Sequence, residues 1–250
     1  VIIHNAWQLD FNLDCKAFDK HIAATRRIVL LAAESNARVL LASSISVAGA
    51  WSAEQGAFPE DIQSTPDAAL GGGYGESKWV AEQILEAARE RGLETSALRL
   101  GQIDGANGNG AWSTSDWVPM MIKSSIPLEA LPESKGVRIH SSGTLSSALT
   151  VTEQVVSWIS PLTVAKAFTE ASLATKAPPA GMNVCHDSPV PWKQVMDDVA
   201  AALVDQGITK KKLPTVSLDD WMARLEERAE KGDAKELDAI VSIRLDAHSI

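Results

Sequence analysis

Between Arg38 and Ser46 the chain reads Arg-Val-Leu-Leu-Ala-Ser-Ser-Ile-Ser, four apolar residues in a row followed by two hydroxyls. An unbroken apolar run with no polar alternate describes a strand buried on both faces, and such strands belong to parallel sheets covered by helices. The flanks agree. From Phe18 to Ser35, Phe18, Ile22, Val29, Ala32 and Ala33 recur at near-helical spacing. From Tyr74, a second helical stripe carries Trp79, Ile84, Leu85 and Ala88 and stops at Gly92, after which Thr95 to Leu100 forms another short strand. Val1-Ile2-Ile3 reads as a strand as well. Strand, helix, strand, helix, strand is the order of an α/β doubly wound, Rossmann-like parallel sheet.

Ligands of open α/β sheets bind at the C-terminal strand ends, which puts Ser43 and Ser44 at a crevice. The chain has one tyrosine in 250 residues, Tyr74, and Lys78 follows one helical turn later on the same face. A phenol has an unperturbed pKa of about 10, so it exchanges protons near neutral pH only with help, and a neighbouring ammonium favours the phenolate. Tyr74 is thus a candidate general acid/base. The same pair also fits a tyrosine with an ordinary lysine beside it, and either Ser43 or Ser44 could be the hydroxyl that faces a ligand.

Charge narrows the partners: 23 basic against 32 acidic residues leave −9, which disfavours nonspecific binding to nucleic acid. With 45% hydrophobic and 22% charged residues the chain can bury a core and is too apolar for disorder. No apolar run approaches the roughly 18 residues a membrane span needs, and a cytoplasmic location is expected. Cys15 and Cys185 have no redox or metal spacing, and His4, His21, His140, His186 and His248 are scattered, so no metal site is expected. Lys210-Lys211-Lys212 is the sharpest local charge run. It fits a solvated loop, or a patch that steers an acidic partner or a phosphate.

The second half reads differently. Trp112, Trp117, Pro119, Pro127 and Pro132 suggest irregular structure. A helix is expected over Leu162–Ala174, a short strand over Met182–Cys185, and a further helix from Trp192 with the stripe Val195, Met196, Val199 and Leu203. Ser217 with Asp220 resembles a capping box ahead of Trp221, Met222 and Leu225. Leu237, Ile240, Val241 and Leu245 suggest a last helix after Gly232. The expected organisation is a doubly wound part over 1–111 and a smaller, mostly helical substrate lobe over 112–250.

Three segments together, Ser44-Ile45-Ser46-Val47-Ala48-Gly49, Tyr74-Gly75-Glu76-Ser77-Lys78 and Leu98-Arg99-Leu100-Gly101-Gln102-Ile103, resemble the extended short-chain dehydrogenase/reductase superfamily. Within it, Val1-Ile2-Ile3-His4-Asn5-Ala6-Trp7, Trp117-Val118-Pro119 and Leu131-Pro132 resemble the thioester reductase domains that end fungal nonribosomal-peptide-synthetase-like enzymes, aminoadipate reductases and carboxylic acid reductases. That resemblance implies a Ser44, Tyr74 and Lys78 triad, Ser44 being favoured over Ser43 because the family's hydroxyl stands five residues before the glycine that here is Gly49. It further implies NADPH held by Asn5, Ala6, Tyr74, Lys78, Gly101, Gln102 and Ile103, and a carrier domain presenting an acyl thioester on phosphopantetheine for reduction to an aldehyde, or on to an alcohol. Family members open with a strand, a Gly-rich turn and a helix that hold the pyrophosphate. By that pattern this sequence reads as N-terminally truncated, its sheet lacking the first strands. Neither Gly71-Gly72-Gly73-Tyr74-Gly75 nor the glycines from Gly101 to Gly110 have the strand-turn-helix context of a phosphate loop. Two other readings stay open: another extended dehydrogenase, such as a nucleotide-sugar epimerase or an aldehyde or ketone reductase, and a noncatalytic binding protein that keeps the fold.

Overall fold

A computed structural model describes residues 1–133 and 155–230. The helix expected around Leu237–Leu245 lies outside them. Four strands, β1 (Ile2–His4), β2 (Val39–Ser44), β3 (Thr95–Leu100) and β6 (Gly181–Val184), form one all-parallel sheet in the order β1-β2-β3-β6. Its register runs Ile2 against Val39, Val39 against Thr95 and Ala97 against Gly181. Parallel neighbours need crossovers, and helices supply them. Between β1 and β2 runs α1 (Asp19–Ser35), and between β2 and β3 runs α2 (Gly73–Arg89). The return to β6 includes α4 (Pro161–Leu173).

The apolar run of β2 explains the layering, because successive side chains point to opposite faces. Leu41 packs with Val29 of α1 and Ala81, Leu85 and Ala88 of α2. Leu40 and Ala42 pack on the other face with Leu98, Val184 and the α4 residues Phe168 and Ala171. Helices therefore cover both faces, as a doubly wound sheet requires. At the C-terminal end of α4, where carbonyls lack partners, the Arg38 guanidinium donates to the carbonyls of Ala171 (2.8 Å) and Ala174 (2.9 Å).

Contacts divide the described residues into two compact units, 1–109 with 158–186, and 110–133 with 155–157 and 187–230. Residues 158–186 join the first unit although they follow residue 111 in sequence, because β6 pairs with β3. The second unit holds α3 (Trp117–Leu128), α5 (Trp192–Asp205), α6 (Leu218–Glu230) and two small sheets. In one, β4 (Leu131–Glu133) runs parallel to β8 (Thr215–Ser217); in the other, β5 (Val155–Val156) runs antiparallel to β7 (Val190–Pro191). The Ser217 hydroxyl accepts from the Asp220 amide at 3.2 Å, the N-cap contact expected from sequence.

One sequence expectation fails here. The proline- and tryptophan-rich stretch read as irregular contains the 12-residue helix α3. Pro119 occupies its first turn, where a missing N–H removes no intrahelical bond, and Pro127 falls one residue before the end. Two indoles then hold the unit together: buried Trp221 donates to the Ser125 hydroxyl (3.0 Å) and Trp192 to the Pro132 carbonyl (3.1 Å). Among the described residues, no helix is long and apolar enough to cross a membrane.

Candidate active site

Strand alternation sends the two serines at the end of β2 in opposite directions. The Ser43 hydroxyl is buried and donates to Glu82 Oε1 at 2.6 Å. Ser44 is half-buried and starts the 3-10 turn Ile45–Ala48, its Oγ accepting from the Ser46 amide at 3.1 Å. Of the two candidates, Ser44 is the one whose side chain acts on the Tyr74 phenol, easing its pKa downward.

Glycines bring that tyrosine to the serine. A Cβ on Gly73 would run into the backbone of Leu13, Asp14 and Cys15, and one on Gly75 into the Ser46 carbonyl. The start of α2 can lie this close to both segments only because those two positions carry no side chain. Within the Gly-rich run 71–75, Gly73 and Gly75 are thus taken up by packing. Gly73→Ala is expected to destabilise the first unit by about 1–3 kcal/mol, the usual cost of overpacking. Gly72→Ala, where no atom lies within 4 Å, is expected to stay within about 1 kcal/mol of wild type. Amide exchange of α2 measures both, and equal protection in the two variants would contradict the close-packing account.

Tyr74 is 8% exposed, with Phe11 and Phe18 edge-on at ring-centroid distances of 4.8 and 5.9 Å. Burial pushes its pKa up to about 12, partly opposed by the Ser44 hydrogen bond. Lys78 is 3% exposed; its Nζ donates to the Ala42 carbonyl at 2.7 Å and stands 4.2 Å from the Trp7 ring centroid and 5.6 Å from that of Tyr74. Burial pulls its pKa down to about 7, with the Glu82 carboxylate acting the other way. The expectation that Lys78 depresses the Tyr74 pKa is corrected here. Burial dominates at Tyr74, and the Lys78 ammonium is turned toward a carbonyl and an indole face.

The residues expected at a cofactor separate. Asn5 and Ala6 are exposed just past β1. Asn5 and Ile103 line one groove of about 290 Å³ whose wall includes Leu100, Val164 and Phe168. Gly101 is buried and its amide donates to the Val184 carbonyl at 3.0 Å; the Gln102 carbonyl accepts from Ile159 at 2.9 Å. These two therefore fix the strand exit through their backbone. An apolar groove at strand ends with one exposed amide fits a flat, uncharged ring with a carboxamide, the nicotinamide end of a dinucleotide. His4, at the end of β1, is buried with Nε2 3.1 Å from Thr25 Oγ1. Burial lowers its pKa, with smaller contributions from Lys78 and His21.

Sequence reading missed Trp7, Glu82 and Arg99. For Trp7 no spacing pointed to Lys78. Glu82 did carry a signal, standing four residues after Lys78 on one helix face. Arg99 carried one too, as a charge in an apolar strand that must find a partner. The two are fully buried and paired at 2.8 Å. Among the described residues, no cluster of His, Cys, Asp or Glu could hold a metal ion.

Comparison with known proteins places this geometry in a lineage. The chain is 40% identical over 250 residues to the adenylate-forming reductase Nps11 of Serpula lacrymans, and 29% identical over 239 residues to a carboxylic acid reductase of Neurospora crassa. It covers 98% and 93% of itself in these matches but 21% of each relative, so it spans about a fifth of their length. The terminal R domain of the myxalamid PKS-NRPS pathway shares the fold, with a TM-score of 0.75 at 21% identity over 97% of this chain and 56% of that one. A thiolation-reductase di-domain from an archaeal non-ribosomal peptide synthetase also shares it, at TM-score 0.64 and 17% identity, over 96% of this chain and 47% of that one. The family model described as Male sterility protein, an NAD-binding domain, matches residues 1–143. With more than half of its length matched, and with helices on both faces of a parallel sheet, the chain belongs to this family of NAD(P)-dependent oxidoreductases.

Proposed function

We propose that this chain is the catalytic part of a thioester reductase domain, which reduces an acyl thioester on the phosphopantetheine arm of a carrier domain to an aldehyde. NADPH is the reductant, and the second unit recognises the substrate. One observation carries the reading: Ser44, Tyr74 and Lys78 converge at the C-terminal end of β2, where α/β sheets bind ligands. Relatives named as reductases, and a fold shared with a thiolation-reductase di-domain, support the substrate class. The epimerase reading has fold likeness alone behind it, for example to a UDP-N-acetylglucosamine 4-epimerase of Bacillus cereus at TM-score 0.56 and 18% identity.

Asn5 and Ile103 would hold the nicotinamide end, and Lys78 the adjoining ribose. The bound cofactor supplies a hydride to the thioester carbon. Ser44 Oγ and the Tyr74 hydroxyl donate hydrogen bonds to the carbonyl oxygen as it gains negative charge, and Tyr74 gives up its proton to leave a hemithioacetal, whose C–S bond then breaks to release the aldehyde and return the free phosphopantetheine thiol. A phenol held near pKa 12 is fully protonated at neutral pH, ready to donate to an alkoxide.

The assay is NADPH oxidation by the full-length protein carrying an acylated carrier domain, with aldehyde detected directly. Hydrolysis or inertness in place of aldehyde would refute the proposal. Lys78 adds a pH signature. Its ammonium is the form that donates to the ribose, so kcat/KM is expected to fall as pH rises through about 7, where the buried lysine loses its proton. An alkaline limb that begins only near the ordinary lysine value of 10.5 would remove Lys78 from that role.

A further inference from the structure

One carboxylate links three parts of the site that are distant in sequence. Glu82 Oε1 accepts from the Ser43 hydroxyl at 2.6 Å, locking the β2 residue between Ala42, whose carbonyl holds Lys78, and Ser44. The same carboxylate receives Arg99 of β3 through Nε (3.1 and 3.3 Å) and Nη2 (2.8 Å). Glu82 also stands one turn from Lys78 on α2. Arg99 carries the linkage onward, donating to the carbonyls of Pro59 (2.8 Å) and Asp61 (2.9 Å) and stacking 4.7 Å from the Phe58 ring. Gly181 leaves room for that guanidinium, since a Cβ there would come within 3.1 Å of it. Asn183 of β6 secures the same loop, its amide nitrogen donating to the Phe58 carbonyl (2.6 Å) and its backbone to Glu60 (2.8 Å).

Building on the reductase reading above, we propose that Glu82 is a positioning residue of the active site. It clamps the strand end that presents Ser44 to the helix that presents Tyr74 and Lys78, and it sets the charge that Lys78 faces, while Arg99 matches its charge and ties down the loop 58–61. Core packing by itself does not call for this arrangement, because a buried ion pair is commonly replaceable by apolar residues without loss of stability. Here the pair's remaining bonds go to Ser43, the neighbour of Ser44, and to the loop 58–61.

The titratable groups around Lys78 are few. Tyr74 and Glu82 come from its own helix and His4 from β1; His21 of α1 acts on His4, and Arg99 of β3 reaches Lys78 through Glu82. Tyr74 and His4 are neutral at neutral pH, the first with its pKa raised and the second with its pKa lowered. Glu82 is therefore the negative charge that faces Lys78 among the described residues.

The test compares wild type with Glu82→Gln, Glu82→Asp and Tyr74→Phe in the full-length protein, reading kcat, KM and the pH profile of kcat/KM. Glu82→Gln is expected to lower kcat about tenfold with KM nearly unchanged, and to move the alkaline limb about one unit lower, as loss of a neighbouring opposite charge does. Glu82→Asp keeps the charge and is expected to restore the limb while recovering only part of kcat. Wild-type kcat and an unmoved limb in a folded Glu82→Gln protein overturn the inference. Should that variant fail to fold, Ser43→Ala removes only the hydroxyl link. A kcat lowered about threefold, on the order of one lost hydrogen bond, then supports the clamp, and an unchanged kcat overturns it. Tyr74→Phe separates the two levels: retained turnover there means the site reading itself is wrong, whereas lost turnover with a silent Glu82→Gln defeats the positioning role and nothing else.

Discussion

Tyr74→Phe is expected to reduce thioester-reductase turnover by a factor of about 10² to 10⁴, the range supplied by a positioned general acid. The substitution isolates the hydroxyl. Phenylalanine keeps the ring between Phe11 and Phe18, so the aromatic packing and the start of α2 stay in place. What disappears is the hydroxyl proposed as proton donor, with any hydrogen bond it makes. A neutral buried hydrogen bond contributes about 1 kcal/mol, too little to unfold the unit or to account for a rate loss of this size through stability. Cofactor affinity should stay within about twofold of wild type, because in the proposed mechanism the hydroxyl acts on the carbonyl oxygen and Lys78 on the ribose. Single-turnover kinetics with an acylated carrier domain decide the matter. A variant that turns over at the wild-type rate cannot have lost its proton donor, and Tyr74 would then be a packing residue only.

Arg99→Met is expected to destabilise the first unit by about 3–5 kcal/mol, because it leaves the Glu82 carboxylate buried without its cation. Both side chains are fully buried, so water cannot replace the guanidinium. The loop 58–61 would lose two backbone anchors in the same step. Arg99→Lys should recover only part of the loss, since one ammonium cannot meet two carboxylate oxygens and two carbonyls in the planar spread that the guanidinium covers. Hydrogen exchange of the β2 and β3 amides, read by mass spectrometry in the full-length protein, reports this unit separately from the rest. Protection within about 1 kcal/mol of wild type would show that the pair is not carrying the charge balance assigned to it. Combining Arg99→Met with Glu82→Leu should return most of the protection, because an apolar pair leaves no buried charge.

Local pattern made much of this legible. The run Val39–Ala42 specified a strand covered on both faces, and the structure packs Leu41 against α1 and α2 and Leu40 against α4. The Ser217 cap was visible for the same reason: it depends on residues three apart. Where the reading failed, the missing information was not local. Prolines in the 117–128 segment looked like breaks, yet Pro119 sits in the first turn, where a helix tolerates it, and Pro127 coincides with the helix's end. Residues 158–186 looked like part of a second lobe until β6 found β3, a pairing made across some 80 residues of chain.

The candidate site divides along the same line. Sequence by itself determined that Tyr74 and Lys78 share a helix face and that two serines end a buried strand, because helical and strand periods are properties of consecutive residues. Tertiary structure alone decided which serine meets the phenol, that burial raises Tyr74 to about 12 and lowers Lys78 to about 7, and that Glu82 and Arg99 meet beneath them. Desolvation and ion pairing depend on what surrounds a group in space. Ser43 and Glu82 are 39 residues apart, and only the parallel pairing of the strands and the close approach that Gly73 and Gly75 permit bring them together.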